Sequence, residues 1–251
     1  MKKLTIIIAL YNKEKFIEEC LDSLMKQETN YKYDVIIVDD GSTDNSFKLA
    51  NNKIKGMKNF KIISQKNQRQ GAARNKGIKN SQTDFVVFID ADDVVYPHFV
   101  EQISNAIVET NKDIIRYKFD YLDDHTKQVK KVRFPMSLYF RIAYGVMYAI
   151  NIKKYPDFKF VEKVKVEDMY TFFSFFNNSL PEFHLIKTPV YKYRVNIEGA
   201  QDSTCINEEY LKDLKVALEF YKKSKNKNIL YRLDYWRKVY LLKKYLKAIK
   251  K

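Results

Sequence analysis

The sequence predicts an α/β fold: a mostly parallel sheet flanked by helices, followed by a C-terminal helical appendage. Three observations predict it. Apolar runs of four to seven residues alternate with amphipathic stretches over residues 1 to about 117, the pattern of successive strand–helix units. The first of these runs, Leu4 to Leu10, is β-branched and almost wholly apolar, as a strand buried on both faces must be. Acidic residues follow directly on two of the runs, at the carboxyl ends of strands where open α/β sheets bind ligands.

Leu4 to Leu10 is the first such strand. A helix is expected over 14–26, with Phe16, Ile17, Cys20, Leu21 and Leu24 on one stripe. Tyr33 to Val38 is the second strand, ending abruptly at Asp39-Asp40-Gly41-Ser42-Thr43-Asp44. Ser42 or Thr43 is the expected cap of the next helix, which carries Phe47, Leu49 and Ala50. Phe60 to Ile63 is a third strand, and a helix with Ala72, Ala73 and Ile78 follows it. Phe85 to Ile89 is a fourth strand, ending at Asp90-Ala91-Asp92-Asp93. Pro97 is expected to open a helix through Val108, and Asp113 to Tyr117 to form a fifth strand. Beyond it the pattern loosens. Asp120 to Val132 reads as a hairpin or loop, Lys163 to Phe176 as a helix, Val190 to Val195 as a short strand and Asn196 to Thr204 as a loop. Two amphipathic helices close the chain, with Tyr210, Leu214 and Tyr221 on one stripe and Tyr235, Val239, Leu242, Leu246 and Ile249 on the other.

Composition narrows the function classes. With 45% hydrophobic and 15% aromatic residues in 251, the chain has the material for a large core, which excludes intrinsic disorder. Six Gly and five Pro exclude collagen-like architectures. Cys20 and Cys205 are far apart and at no metal-ligand spacing, which suggests a reducing compartment. The apolar run after Met1-Lys2-Lys3 is short and lacks a cleavage site, and no stretch approaches the roughly 20 apolar residues of a membrane span. A cytoplasmic location is therefore expected. The formal charge of +15 asks for an anionic partner. It is unevenly spread: residues 210–251 hold 14 Lys and Arg against 3 Asp and Glu, a net of +11, and the preceding residues carry +4.

Carboxylates gathered at one rim of a sheet repel one another unless something positive lies between them. A divalent cation with a nucleotide diphosphate is one economical answer, and loop acids that end strands and cap helices are the plainer one. Four motifs occur in order at strand ends and helix starts: Ala9-Leu10-Tyr11-Asn12, Val38 to Asp44, Gly71-Ala72-Ala73-Arg74-Asn75-Lys76-Gly77, and Asp90 to Asp93. In these the chain resembles the inverting glycosyltransferases of family 2, which have the GT-A fold. The resemblance covers residues 3 to about 117 and extends more loosely to about 205. It implies a catalytic domain over 1–205, with a nucleotide-sugar-binding half at 1–117 and an acceptor-side half at 118–205, and a basic helical extension over 206–251. It also implies a divalent cation, Mn²⁺ or Mg²⁺, with Asp92 as its best ligand candidate and Asp93 as another. Ala9 and Tyr11 correspond to the stretch beside the nucleotide base, and Asp40 to the acid that accepts from the pyrimidine ring N–H. Asp90 and Ala91 open the D-x-D-D stretch, with Asp90 near the ribose or paired to a basic residue. Arg74 resembles the Arg that lies near the phosphates or holds the first acid of that stretch; a solvated helix residue is the plain alternative. Three positions depart from the family pattern: Ala9 stands where Pro is usual, Arg69 where Gly is usual, and Gly71 where a small polar residue is usual.

Inverting transfer needs a base for the acceptor hydroxyl. Val166-Glu167-Asp168-Met169 is similar to the family's E-D motif, which makes Asp168 the base candidate, although an acid here also suits the first turn of a helix. Tyr191-Lys192-Tyr193-Arg194 with Asp202-Ser203-Thr204 is similar to a segment that folds over the donor diphosphate, where Arg194 would supply a fork of donors. Neither a phosphate-binding glycine loop nor a Q-x-x-R-W signature occurs, so transfer of a single sugar onto a glycan or lipid-linked acceptor is expected rather than polymerisation. The alternatives are a basic nucleic-acid-binding protein and an inactive protein of the same shape; the acidic clusters argue against phosphate-backbone binding. The basic tail suits an anionic membrane leaflet, and packing on the core is its other reading. If the tail binds membrane, full-length protein should sediment with anionic liposomes in a salt-sensitive manner and a chain ending near Thr204 should not. Equal sedimentation would remove that role.

Overall fold

The computed structural model describes residues 4–131, 147–162, 171, 175 and 182–195. In chain order the elements are β1 (Leu4–Leu10), α1 (Ile17–Met25), β2 (Tyr33–Asp39), α2 (Ser46–Lys53), β3 (Phe60–Ser64), α3 (Arg69–Lys79), β4 (Phe85–Asp90), β5 (Val94–Val95), α4 (Phe99–Thr110), β6 (Ile114–Asp123), β7 (Val129–Lys130), β8 (Tyr148–Asn151) and β9 (His184–Val195). The expected α/β architecture is present. β3, β2, β1 and β4 are parallel neighbours in that order. The register pairs Leu10 with Asp39 and Ala9 with Asp90, so the strands end level. Three loops therefore open at one edge, after Leu10, Asp39 and Asp90.

The second half of the sheet is mixed rather than a continuation of the parallel pattern. β8 lies antiparallel between β4 and β6. β9 runs parallel to β6, and β5 pairs antiparallel with β9. β6 continues to Asp123, beyond the expected end at Tyr117, and turns into β7 to form the hairpin anticipated at 120–132. β9 begins at His184, six residues before the expected start. Its register against β6 shifts around Lys118 and Pro189. Proline has no N–H to donate, so the ladder is irregular there and only the stretch after it reads as a strand from sequence.

Helix starts also differ from expectation. α1 begins at Ile17 because Lys13 to Phe16 is a turn, with the Phe16 and Ile17 amides donating to the Lys13 carbonyl, each at 3.0 Å. Neither Ser42 nor Thr43 caps α2. Asp44 Oδ1 accepts from the Ser46 amide at 2.9 Å, while Ser42 and Thr43 bond to Asn12 across the gap to the first loop. α4 begins at Phe99, because the Pro97 carbonyl is engaged by the Glu28 amide at 2.8 Å. The expected features at 196–251, including the loop at Asp202 to Thr204 and both terminal helices, lie outside the described residues.

The core follows the apolar runs. Ile6, Ile7 and Ile8 are fully buried, as is the α1 stripe of Ile17, Cys20, Leu21 and Leu24. Phe88, Tyr148, Phe158 and Phe160 pack edge to face beside β4. α3 lies close on β1: a Cβ at Gly77 would sit 2.3 Å from Ile7 Cγ2, and the β-branched Ile7 has no room to move. This contact sets the height of Arg74, one turn earlier on the same helix. Gly77→Ala should destabilise the protein by about 1–3 kcal/mol, measured as a lower denaturation midpoint. An unchanged midpoint would mean that α3 is not seated this tightly.

Candidate active site

The level ending of β1, β2 and β4 brings the three acid-bearing and base-side loops of the site together. Ala9 is the penultimate residue of β1, paired with both Val38 and Asp90. Tyr11 follows the strand and is 44% exposed, so a flat face is available to a planar ligand. Asn12 turns the chain with φ 49°, and its Oδ1 accepts from the Thr43 amide at 2.8 Å. The first two loops are thereby joined.

Asp39 and Asp40 are both buried. Asp39 Oδ1 accepts from the Ser42 amide at 3.2 Å, closing the turn. Asp40 Oδ1 accepts from Gln65 Nε2 at 2.8 Å and from the Gln68 amide at 2.9 Å. Gly41 adopts φ 74°, and a Cβ there would come within 3.1 Å of the Asn67 amide nitrogen. Glycine is needed both for the left-handed turn and for the close approach of the 65–68 segment to Asp40.

Beyond β4 the three acids have different surroundings. Asp90 Oδ1 receives Arg74 Nη2 and Gln70 Nε2, each at 2.7 Å. Arg74 is 1% exposed, and its guanidinium lies 5.1 Å from the centre of the Phe160 ring. Of the two positions anticipated for Arg74, the one observed is against the first acid of the stretch. Ala91 is buried where the chain turns, with the Asp93 amide donating to the Asp90 carbonyl at 3.0 Å. Asp92 keeps a quarter of its side chain exposed, and Lys13 Nζ lies 2.5 Å from its Oδ2. Asp93 points inward: Oδ2 accepts from the Tyr191 hydroxyl at 2.5 Å and Oδ1 from the Arg194 amide at 2.7 Å. Burial pushes the Asp93 carboxyl well above the ordinary range, and the charges of Asp92 and Asp90 push the same way. Cys20 lies behind this turn, with its Sγ 3.7 Å from the Asp90 carbonyl. Burial first, and then the neighbouring acids, raise its thiol well above the usual value, so it remains protonated at neutral pH and behaves as a core residue.

Arg194 sits under the same turn, with its side chain 1% exposed. Nε donates to the Asp92 carbonyl, Nη1 to Asp124 and Nη2 to Glu19, all at 2.6 Å. The guanidinium lies 5.2 Å from the centre of the Phe16 ring. The fork expected to meet phosphate is thus engaged with protein groups that tie the D-x-D-D turn to α1 and to the β6–β7 hairpin. Asp168 lies outside the described residues; Thr171, three positions on, accepts from the Val161 amide at 2.9 Å, next to Phe160. Lys13, Gln65, Gln70, Glu19 and Asp124 were not anticipated as members of this site. Gln70 had a readable signal, since it stands four positions before Arg74 and so shares its helix face. Lys13, Glu19 and Asp124 had none, because their contacts cross between elements distant in sequence.

The model of glycosyl transferase family 2 matches residues 5–180. The chain belongs to that family. Among relatives, the family 2 chain is 27% identical over 172 residues to the poly(ribitol-phosphate) beta-N-acetylglucosaminyltransferase TarP of Staphylococcus aureus (strain N315), a match covering 66% of this chain and 52% of TarP. The matches to two other curated relatives span about a third of those proteins' length, 35% and 34%. Among solved structures, Staphylococcus aureus TarS 1–349 in complex with UDP-GlcNAc superposes with a TM-score of 0.70 at 23% identity, covering 97% of this chain and 71% of that one. A Pyrobaculum calidifontis mannosyltransferase in complex with GDP-Man and Mn²⁺ superposes at 0.62 with 16% identity, covering 95% and 69%. These structural likenesses support the GT-A fold of the family 2 chain.

A divalent cation such as Mg²⁺ or Mn²⁺ needs several oxygen ligands. Among the described residues no group of three His, Cys, Asp or Glu side chains is arranged to hold a metal. Of the three acids after β4, Asp92 is the most exposed and has the partly exposed Lys13 beside it, whereas Asp90 is held by the buried Arg74 and Asp93 is committed to Tyr191 and Arg194. One carboxylate suits Mg²⁺ or Mn²⁺ arriving with nucleotide phosphates and water rather than an all-protein cage. Because Arg194 is engaged from below, Arg194→Met should cost roughly 3 kcal/mol of stability, as loss of one partner of a buried ion pair does. The readout is the thermal midpoint. An unchanged midpoint with weakened binding of a nucleoside diphosphate would instead place Arg194 on phosphate.

Proposed function

We propose that this chain is a metal-dependent inverting glycosyltransferase that moves one hexosyl or N-acetylhexosaminyl unit from a UDP-sugar to a glycan or lipid-linked saccharide acceptor in cell-surface polysaccharide biosynthesis. The observation that carries this reading is the differentiated acid set at the carboxyl edge: Asp40 buried beside exposed Tyr11, Asp90 held by Arg74, and Asp92 facing outward. TarP is an N-acetylglucosaminyltransferase and TarS is seen in complex with UDP-GlcNAc, which supports the donor class. The Mn²⁺ complex of the mannosyltransferase supports the metal.

In this reading the donor's base stacks on Tyr11. Asp40, with Oδ1 taken by Gln65 and Gln68, offers Oδ2 to the ring N–H. Asp90 is fixed by Arg74 at the ribose, and Asp92 would hold the cation that accompanies the diphosphate. When bound, the divalent ion neutralises charge developing on the departing diphosphate. Asp168 accepts the proton from the acceptor hydroxyl as its oxygen attacks the anomeric carbon. The bond from that carbon to the diphosphate oxygen breaks, its electron pair leaves with the nucleoside diphosphate, and the configuration inverts. Among the described residues no helix is long and apolar enough to cross a membrane, and the basic segment 210–251 is assigned to an anionic membrane surface beside the acceptor.

The direct test is hydrolysis and transfer measured over a panel of nucleotide sugars with Mn²⁺, with Mg²⁺ and with chelator. Turnover of a UDP-sugar that chelator abolishes is expected. Asp92→Ala should then lower turnover severely, and Asp168→Asn should lower transfer by about 10²–10⁴-fold while donor binding persists. No turnover of any donor with metal present would sink the enzyme reading, and full activity of either variant would remove the role given to that residue.

A further inference from the structure

Lys13 has no part in the proposed chemistry, yet it is the side-chain partner of Asp92 among the described residues. Its placement is built into the fold. The Lys13 amide donates to Ser46 Oγ at 2.6 Å, and its carbonyl receives the amides of Phe16 and Ile17. Its backbone is thereby pinned between the first loop and the starts of α1 and α2. The left-handed Asn12, bonded to Thr43, fixes the approach. From this mount the side chain, about a quarter exposed, reaches the carboxylate proposed to ligate the cation.

We infer that Lys13 is a specificity-determining counter-ion that makes metal binding at Asp92 depend on the nucleotide. This rests on the metal reading given above. A free divalent cation must displace the ammonium and then lie beside it, so the lysine opposes binding of the metal alone. A cation arriving with a nucleoside diphosphate brings a net negative complex. The displaced ammonium then pairs with phosphate oxygen, and the same residue favours binding. One side chain thus acts with opposite signs on the two ligands. A merely structural lysine would not.

The test is Mn²⁺ binding to the full chain, followed through the electron-spin-resonance signal of free Mn²⁺, with and without UDP. Lys13→Met should bind Mn²⁺ alone about three- to tenfold more tightly than wild type. It should bind Mn²⁺ in the presence of UDP more weakly by a similar factor. Lys13→Gln should repeat both shifts and Lys13→Arg should keep the wild-type pattern, which guards against misfolding of any one variant. Shifts in the same direction, or no shift, would overturn the inference while Asp92-dependent Mn²⁺ binding persists. If Asp92→Asn leaves Mn²⁺ binding unchanged, the metal reading fails and this inference fails with it.

Discussion

The structure is organised by one electrostatic constraint: five carboxylates, of Asp39, Asp40, Asp90, Asp92 and Asp93, gather at the carboxyl edge of a sheet whose strands are buried on both faces. Buried charge is tolerated only when paired or hydrogen-bonded. Each acid meets that requirement differently. Asp39 and Asp40 take backbone and amide donors from their own or the neighbouring loop. Asp90 takes a buried arginine, Asp93 a tyrosine hydroxyl and a backbone amide, and Asp92 a lysine at the margin of solvent.

That division separates support from chemistry. Arg74 and Arg194 are both nearly inaccessible, and each locks one end of the turn from Asp90 to Asp93. Ala91 is buried between them, and Asp92 is the acid of this turn whose side-chain partner, Lys13, is itself partly exposed. The Gly77 contact with Ile7 extends the same logic into the core, because it fixes the helix from which Arg74 reaches Asp90. In the proposed function, a centre held this way would keep its geometry without reorganising as charge develops.

Much of this was legible in the sequence because it follows from local pattern. Apolar runs located β1 to β4, and of the expected stripe Ile17, Cys20, Leu21 and Leu24 are fully buried while Phe16, just before α1, is half-buried. Acids just beyond strand ends located the rim. What escaped depends on long-range pairing. β5 is two residues long and exists only because Val94 and Val95 meet β9. β8 is inserted antiparallel between strands that local alternation would make neighbours. Pro189 hides the continuity of β9. The same limit applies to side chains. An arginine in a Y-x-Y-R segment reads as a phosphate donor, whereas its carboxylate partners Glu19 and Asp124 lie 175 and 70 residues away. Lys13 reads as an ordinary surface lysine until β1 and β4 are placed side by side.

Asp92, and not Asp93, is the acid that this rim is proposed to offer to a metal–nucleotide complex. Anomalous diffraction from crystals grown with Mn²⁺ and UDP tests it most directly. A manganese peak is expected about 2.1 Å from an Asp92 carboxylate oxygen, with Asp93 still bonded to Tyr191 and the Arg194 amide. Manganese on Asp93, or UDP bound while Asp92 remains paired with Lys13 and carries no metal, would contradict it.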